Sequence, residues 1–205
     1  MTAPEITNSI QTAFIHTSFA EWIIFISALI YILLIAVENK WGWIFGIIAS
    51  LVSVYLCFTG NLFLESGLNI FYVIIGFYGW YQWQYGSKEK KEIQISRNSK
   101  LKNTCLILLG CLIWIPFALI ANKYSTQAMP YLDAFITAFS LIATWMTTKK
   151  MIENWLYWII VDALGIVLFA NRGLYLLALL NIIYTSMALA GYFSWRKKMT
   201  SSELL

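Results

Sequence analysis

The chain has 205 residues; 60% are hydrophobic, 17% aromatic and only 12% charged, and the net charge at pH 7 is +4. A soluble domain averages roughly 45–50% apolar and about 25% charged residues, and a water-facing shell could not absorb this surplus of apolar surface. A soluble enzyme and a disordered chain are both excluded as first readings, and lipid is the solvent for most of the sequence. The basic residues sit in loops, which speaks for membrane topology and against nucleic acid.

Taken in chain order, the first eighteen residues contain no Lys or Arg, so they lack the basic start of a secretory signal. They contain the only His, His16, and one His cannot build a metal site. A membrane-spanning helix needs about 20 mostly apolar residues, and seven stretches qualify. They run from Phe19 to Val37, Trp43 to Phe58, Leu62 to Trp83, Thr104 to Ala121, Asp133 to Met146, Trp155 to Ala170 and Leu174 to Trp195. The apolar runs are continuous, without the alternation of a lipid-facing strand, so helices are expected. The segment 84–103 between spans three and four is polar and of mixed charge, and reads as a solvated loop. Cys57, Cys105 and Cys111 are scattered in apolar runs with no CxxC pattern, and read as small buried hydrophobes.

Charge then orients the spans. With seven helices, one side of the membrane holds only Lys123 and Arg172, and the other holds the remaining twelve of the 14 Lys and Arg residues. The positive-inside rule places the N-terminus outside the cell and the C-terminus in the cytoplasm.

Spans three and seven share a pattern. Asn69, Tyr72, Gly79 and Trp83 match Asn181, Tyr184, Gly191 and Trp195 at a constant offset of 112. Glu38, Asn39 and Trp43 match Glu153, Asn154 and Trp158 at 115, which implies a small deletion between the anchors. A duplicated three-helix unit follows. The expected organisation is an N-terminal tail and first bundle over 1–84, a loop and linker helix over 85–130, and a second bundle and tail over 131–205. Three spans reverse direction and the linker restores it, so the two units enter the membrane the same way. Parallel repeats of this kind are a known transporter plan, with substrate held between the halves.

Polar residues inside the spans mark a candidate site. Asp162 lies near mid-span six, where an ionised carboxylate is costly unless it is wet, paired or facing a cationic ligand, and no span supplies a Lys or Arg. Trp155, Trp158 and Asp162 share one helix face at i, i+3 and i+7. Two indoles beside a carboxylate suit a flat organic cation. Asn69 and Tyr72, and their counterparts Asn181 and Tyr184, offer hydrogen bonds at equivalent places in the two halves, suited to a hydroxylated ligand. Asp133, Thr137, Ser140 and Thr144 form a second polar stripe, read as helix-to-helix hydrogen bonding. Glu21 and Glu65 fall near headgroup water. No nucleophile–base pair, HExxH motif or Gly-rich phosphate loop appears, so neither an enzyme nor a bound cofactor is expected.

Four stretches carry a family resemblance: YGWYQW from Tyr78, DAFITAFSLIATWM from Asp133, ENWLYWIIVD from Glu153 and GLYLLALL from Gly173. In this order they resemble the PnuC family of bacterial vitamin-precursor transporters. The resemblance implies two parallel three-helix bundles on a SWEET-like plan, joined by span four, in the bacterial inner membrane. It implies facilitated diffusion of nicotinamide riboside, with thiamine or another vitamin or nucleoside as the alternative cargo. Membrane lipid and a small cationic substrate would be the partners, with a homo-oligomer as a further possibility. The family's tryptophan motif falls on Trp155 and Trp158, and its polar position four residues later on Asp162.

Overall fold

The computed structural model describes residues 7–8, 11–12, 15, 17–60, 63–86, 93–124 and 127–202. His16, Leu62, and Lys88, Lys90 and Lys91 of the connecting loop lie outside the described residues. Among the described residues the chain forms seven long helices: α1 (Phe19–Ala36), α2 (Gly42–Thr59), α3 (Phe63–Tyr85), α4 (Lys100–Tyr124), α5 (Pro130–Thr148), α6 (Asn154–Asn171) and α7 (Tyr175–Ser202). Each expected span corresponds to one helix. The start of α1 is fixed by a capping box. The Glu21 amide donates to Ser18 Oγ at 3.3 Å, and the Ser18 amide donates to the Glu21 carboxylate at 2.6 Å. Proline at the first position of α5 lacks the N–H that a helix start leaves unpaired.

The helices form a closed ring. α1 packs on α2, α2 on α3, α3 on α5, α5 on α6, α6 on α7, and α7 back on α1. α4 stands outside this ring and packs on α5. Five helices (α1, α2, α4, α6 and α7) are long and apolar enough to cross a membrane by length and composition alone. α3 and α5 are more polar, and they pack on each other where the two halves meet. α5 also lies under α4 and α6, so little of it needs to face lipid. The lipid-facing surface of the other helices is bare and apolar, as at Leu33, Leu112 and Phe193.

The duplication is visible in the element boundaries. Adding 112 to the start of α2 gives the start of α6, and adding it to the start of α3 gives the start of α7. The turns before α2 and α6 each contain one left-handed residue, Glu38 at φ 61° and Lys150 at φ 48°, again 112 apart. This corrects the offset of 115 inferred around span six. In space Trp43 corresponds to Trp155, not Trp158, and the two halves match without a deletion. The Glu-Asn anchors that suggested the longer offset are local coincidences.

Trp43, Trp83, Trp155 and Trp195 build an indole layer with Ile35, Ile152 and Ala188. Trp43 and Trp83 meet edge to face at 5.7 Å, Trp155 and Trp195 at 5.4 Å, and Trp83 meets Trp195 across the halves at 6.1 Å. Two reciprocal hydrogen bonds cross the same boundary. Trp83 Nε1 donates to the Thr147 carbonyl at 3.1 Å, and Trp195 Nε1 donates to the Ile35 carbonyl at 3.2 Å. Ile35 and Thr147 are themselves 112 apart, so the bonds obey the same pseudo-two-fold relation. A second core, with Leu106, Phe139, Met146 and Val161, joins α4, α5 and α6.

The segment before α4 is not simply a solvated loop. The Ser96 amide donates to the Lys150 carbonyl, and the Ile152 amide donates to the Ser96 carbonyl, both at 2.9 Å. Ile93 and Ile95 pack on the indole layer. Their burial, together with this backbone pairing to the α5–α6 turn, outweighs the polar composition that suggested a free loop.

Candidate substrate cavity

A cavity of about 150 Å³ opens among α1, α5, α6 and α7. An apolar cavity of that size can hold one benzene ring. Trp155, Trp158 and Asp162 all line it, as their common helix face requires. Tyr184 lines it from α7 and Tyr31 from α1. Of the expected site residues, these four from α6 and α7 come together.

Asp162 is 6% exposed. No salt bridge among the described residues engages it, and the nearby polar ring on α7 is the phenol of Tyr184. The cavity it lines is otherwise walled by Trp155, Trp158, Tyr31, Asn154, Thr147 and aliphatic side chains, none of them charged. The carboxylate therefore meets the cavity without a protein counter-charge.

Trp155 is held rigidly. It is 1% exposed, and the space beside its ring exists only because residue 191 is Gly. A Cβ there would lie 2.6 Å from the indole. Its Nε1 is buried without a hydrogen-bond acceptor, as is that of its repeat counterpart Trp43. Trp158 packs against both cores while presenting a ring to the cavity.

Asn69, Tyr72 and Asn181 are not brought into the cavity wall. Asn69 Nδ2 donates to its own helix at the Glu65 carbonyl (2.8 Å), and Asn181 Nδ2 to the Leu177 carbonyl (2.9 Å). The Asn181 side chain also fills the notch beside Gly165, where a Cβ would lie 2.3 Å from its oxygen. Tyr72 reaches Ser140 on α5 and stands near Tyr31. In the second polar stripe, Thr144 Oγ1 donates to the Ser140 carbonyl of its own helix, and Asp133 pairs with Arg172 at 2.8 Å.

Sequence reasoning missed Tyr31, Thr147 and Asn154 as lining residues. Asn154 is fully buried. Thr147 Oγ1 donates to its Oδ1 at 3.1 Å, and its Nδ2 donates to the Met151 carbonyl. The signal that would have found the cavity is the difference between the repeats at offset 112. Asn154, Trp158 and Asp162 then stand opposite Gly42, Gly46 and Ser50. The Tyr31 ring occupies the space over Gly46, where a Cβ would lie 2.9 Å from it. Duplication supplies the frame, and divergence at these positions supplies an asymmetric site.

Seven helices in two related halves, with a ring-sized cavity between them, define a multi-pass membrane protein built on a small-molecule transporter plan. Residues 18–197 match the family model described as nicotinamide mononucleotide transporter; the chain belongs to that family, as its motifs implied. It is 26% identical over 195 residues to the nicotinamide riboside transporter PnuC of Escherichia coli, covering 83% of this chain and 82% of the relative. It is 24% identical over 161 residues to the riboflavin/roseoflavin transporter RibM of Streptomyces davaonensis, covering 77% and 75%. The crystal structure of the vitamin B3 transporter PnuC superposes with a TM-score of 0.69 at 19% identity, covering 94% of this chain and 87% of that one.

Proposed function

We propose that this protein is a facilitator that moves nicotinamide riboside across a bacterial inner membrane, with its N-terminus outside and its C-terminus in the cytoplasm. The observation that carries the reading is the unpaired Asp162 carboxylate in a ring-sized cavity walled by Trp155, Trp158, Tyr31 and Tyr184. A pyridinium ring brings the missing positive charge and a flat face for cation–π contact. The ribose brings hydroxyls for the tyrosines that line the cavity, Tyr31 and Tyr184. Tyr72 acts at one remove, beside Tyr31, while Asn69 and Asn181 serve helix packing.

The same cavity disfavours other cargoes named by the family model and the relatives. A mononucleotide adds a phosphate, yet no Lys or Arg lines the cavity and Asp162 would repel the anion. Riboflavin carries a neutral three-ring system that needs no carboxylate and exceeds one ring in size. Thiamine is also a flat cation and is the second reading. Two halves rocking about the cavity would give alternating access.

The test is flux into liposomes holding the purified protein. Labelled nicotinamide riboside should enter until inside and outside concentrations are equal, and excess unlabelled thiamine should compete weakly. Uphill accumulation under a pH gradient would replace the passive mechanism with proton coupling. Stronger competition by thiamine would reassign the cargo.

A further inference from the structure

We infer that Glu38 and Lys150 are the gate residues on the cytoplasmic side of the transport path. The side rests on the charge-based orientation proposed above; the gate itself rests on geometry. These are the two left-handed residues of the equivalent turns α1–α2 and α5–α6. They occupy the same place in the two repeats, carry opposite charges and meet each other. Lys150 Nζ lies 3.0 Å from Glu38 Oε2, with side chains only 4% and 16% exposed. The other carboxylate oxygen, Glu38 Oε1, takes Lys198 of α7 at 3.0 Å. Lys150 also stands 4.7 Å from the centre of the Trp83 ring. Every one of these contacts joins one half to the other.

Ile35 and Thr147 connect this cluster to the cavity. Both line it, and both offer the backbone carbonyls bound by Trp195 and Trp83. Their chain neighbours Glu38 and Lys150 lie three residues further on. A substrate leaving in this direction must part the two turns, which breaks the ion pairs and both indole bonds together. An ion pair suits a seam that must open: its desolvation cost is high when closed, and water stabilises both charges when they separate. Ser96 clamps the backbone on either side of Met151 and so holds the turn carrying Lys150 in its left-handed form.

The experiment reads accessibility, not transport. In a background with Cys57, Cys105 and Cys111 changed to Ser, Ile35→Cys serves as a reporter on the cavity wall. Inside-out vesicles are labelled with a membrane-impermeant maleimide. Glu38→Gln and Lys150→Met should each speed labelling about tenfold or more, as expected when a closed population loses its lock. The inverted triple variant E38K/K150E/K198E restores the attractions and should label as slowly as the parent. Lys198→Ala, a milder change, should speed labelling a few-fold and covers the case in which a single gate variant fails to insert. Unchanged labelling in the inserted variants, or fast labelling in the inverted one, overturns the gate. Since no substrate is present, that outcome leaves the cargo assignment intact, and a wrong cargo leaves this result unaffected.

Discussion

Gly191→Ala and Gly79→Ala make the same change at equivalent positions of the two halves. Each added Cβ would lie 2.6 Å from an indole carbon, of Trp155 in one case and Trp43 in the other. Ordinary contact begins near 3.4 Å, so each ring must retreat by about 0.8 Å. Both rings are buried, at 1% and 2% exposure; Trp43 is enclosed in the indole layer, whereas Trp155 borders the cavity and would be pushed toward it. Overpacking of this kind costs about 1–3 kcal/mol, against a helix-propensity gain of about 1 kcal/mol for Gly to Ala. Both variants should therefore lose up to about 2 kcal/mol of stability. Only Trp155 lines the cavity, so only Gly191→Ala should also weaken substrate binding, by about tenfold for a misplacement worth about 1.4 kcal/mol. Thermal unfolding in detergent and calorimetric titration read the two effects separately. Equal loss of affinity in both variants, or normal affinity in Gly191→Ala despite its destabilisation, would refute the assignment of Trp155 as a rigid wall of the site.

The reciprocal indole bonds give a symmetry test: Trp83→Phe and Trp195→Phe each remove one bond and some volume, and should each cost about 1–3 kcal/mol, with melting shifts that agree within experimental error. Trp158→Ala removes a cavity wall and should abolish liposome uptake while the protein still elutes as a folded species by gel filtration; normal uptake would remove Trp158 from the site. A ligand series of one-, two- and three-ring compounds of equal charge should show binding falling with ring number, read by quenching of tryptophan fluorescence.

Much of the architecture was legible because lipid forces helices to be long and continuously apolar. The spans from Phe19, Trp43 and Trp155 match α1, α2 and α6 to within one residue at either end. The stripe Trp155, Trp158 and Asp162 was legible for the same reason: a helix fixes which side chains share a face. What a single face cannot reveal is which helix stands opposite. Tyr31 lies in an unbroken apolar run, and only the packing of α1 over Gly46 turns it toward the cavity. The contacts of Asn69 and Asn181 were hidden for a related reason. A polar side chain in lipid must be satisfied, and both were satisfied by a carbonyl four residues back on their own helix. The repeat offset around span six was misread because two Glu-Asn pairs outweighed the Trp43–Trp155 match, which the helix starts and the shared Gly-to-indole contact disclose.

In the proposed function, the Asp162 carboxylate is the counter-charge to the cargo. A unit charge at contact distance of about 4 Å is worth at most about 4 kcal/mol at the dielectric of a protein–solvent boundary, and measured charge-assisted bonds retain about 1.5–3 kcal/mol of that. Asp162→Asn keeps the shape and removes the charge, so calorimetric titration should show cationic nicotinamide riboside weakened by about 10- to 100-fold, while the neutral dihydronicotinamide form binds as before. Unaltered affinity for the cation, or an equal loss for both forms, would contradict the claim.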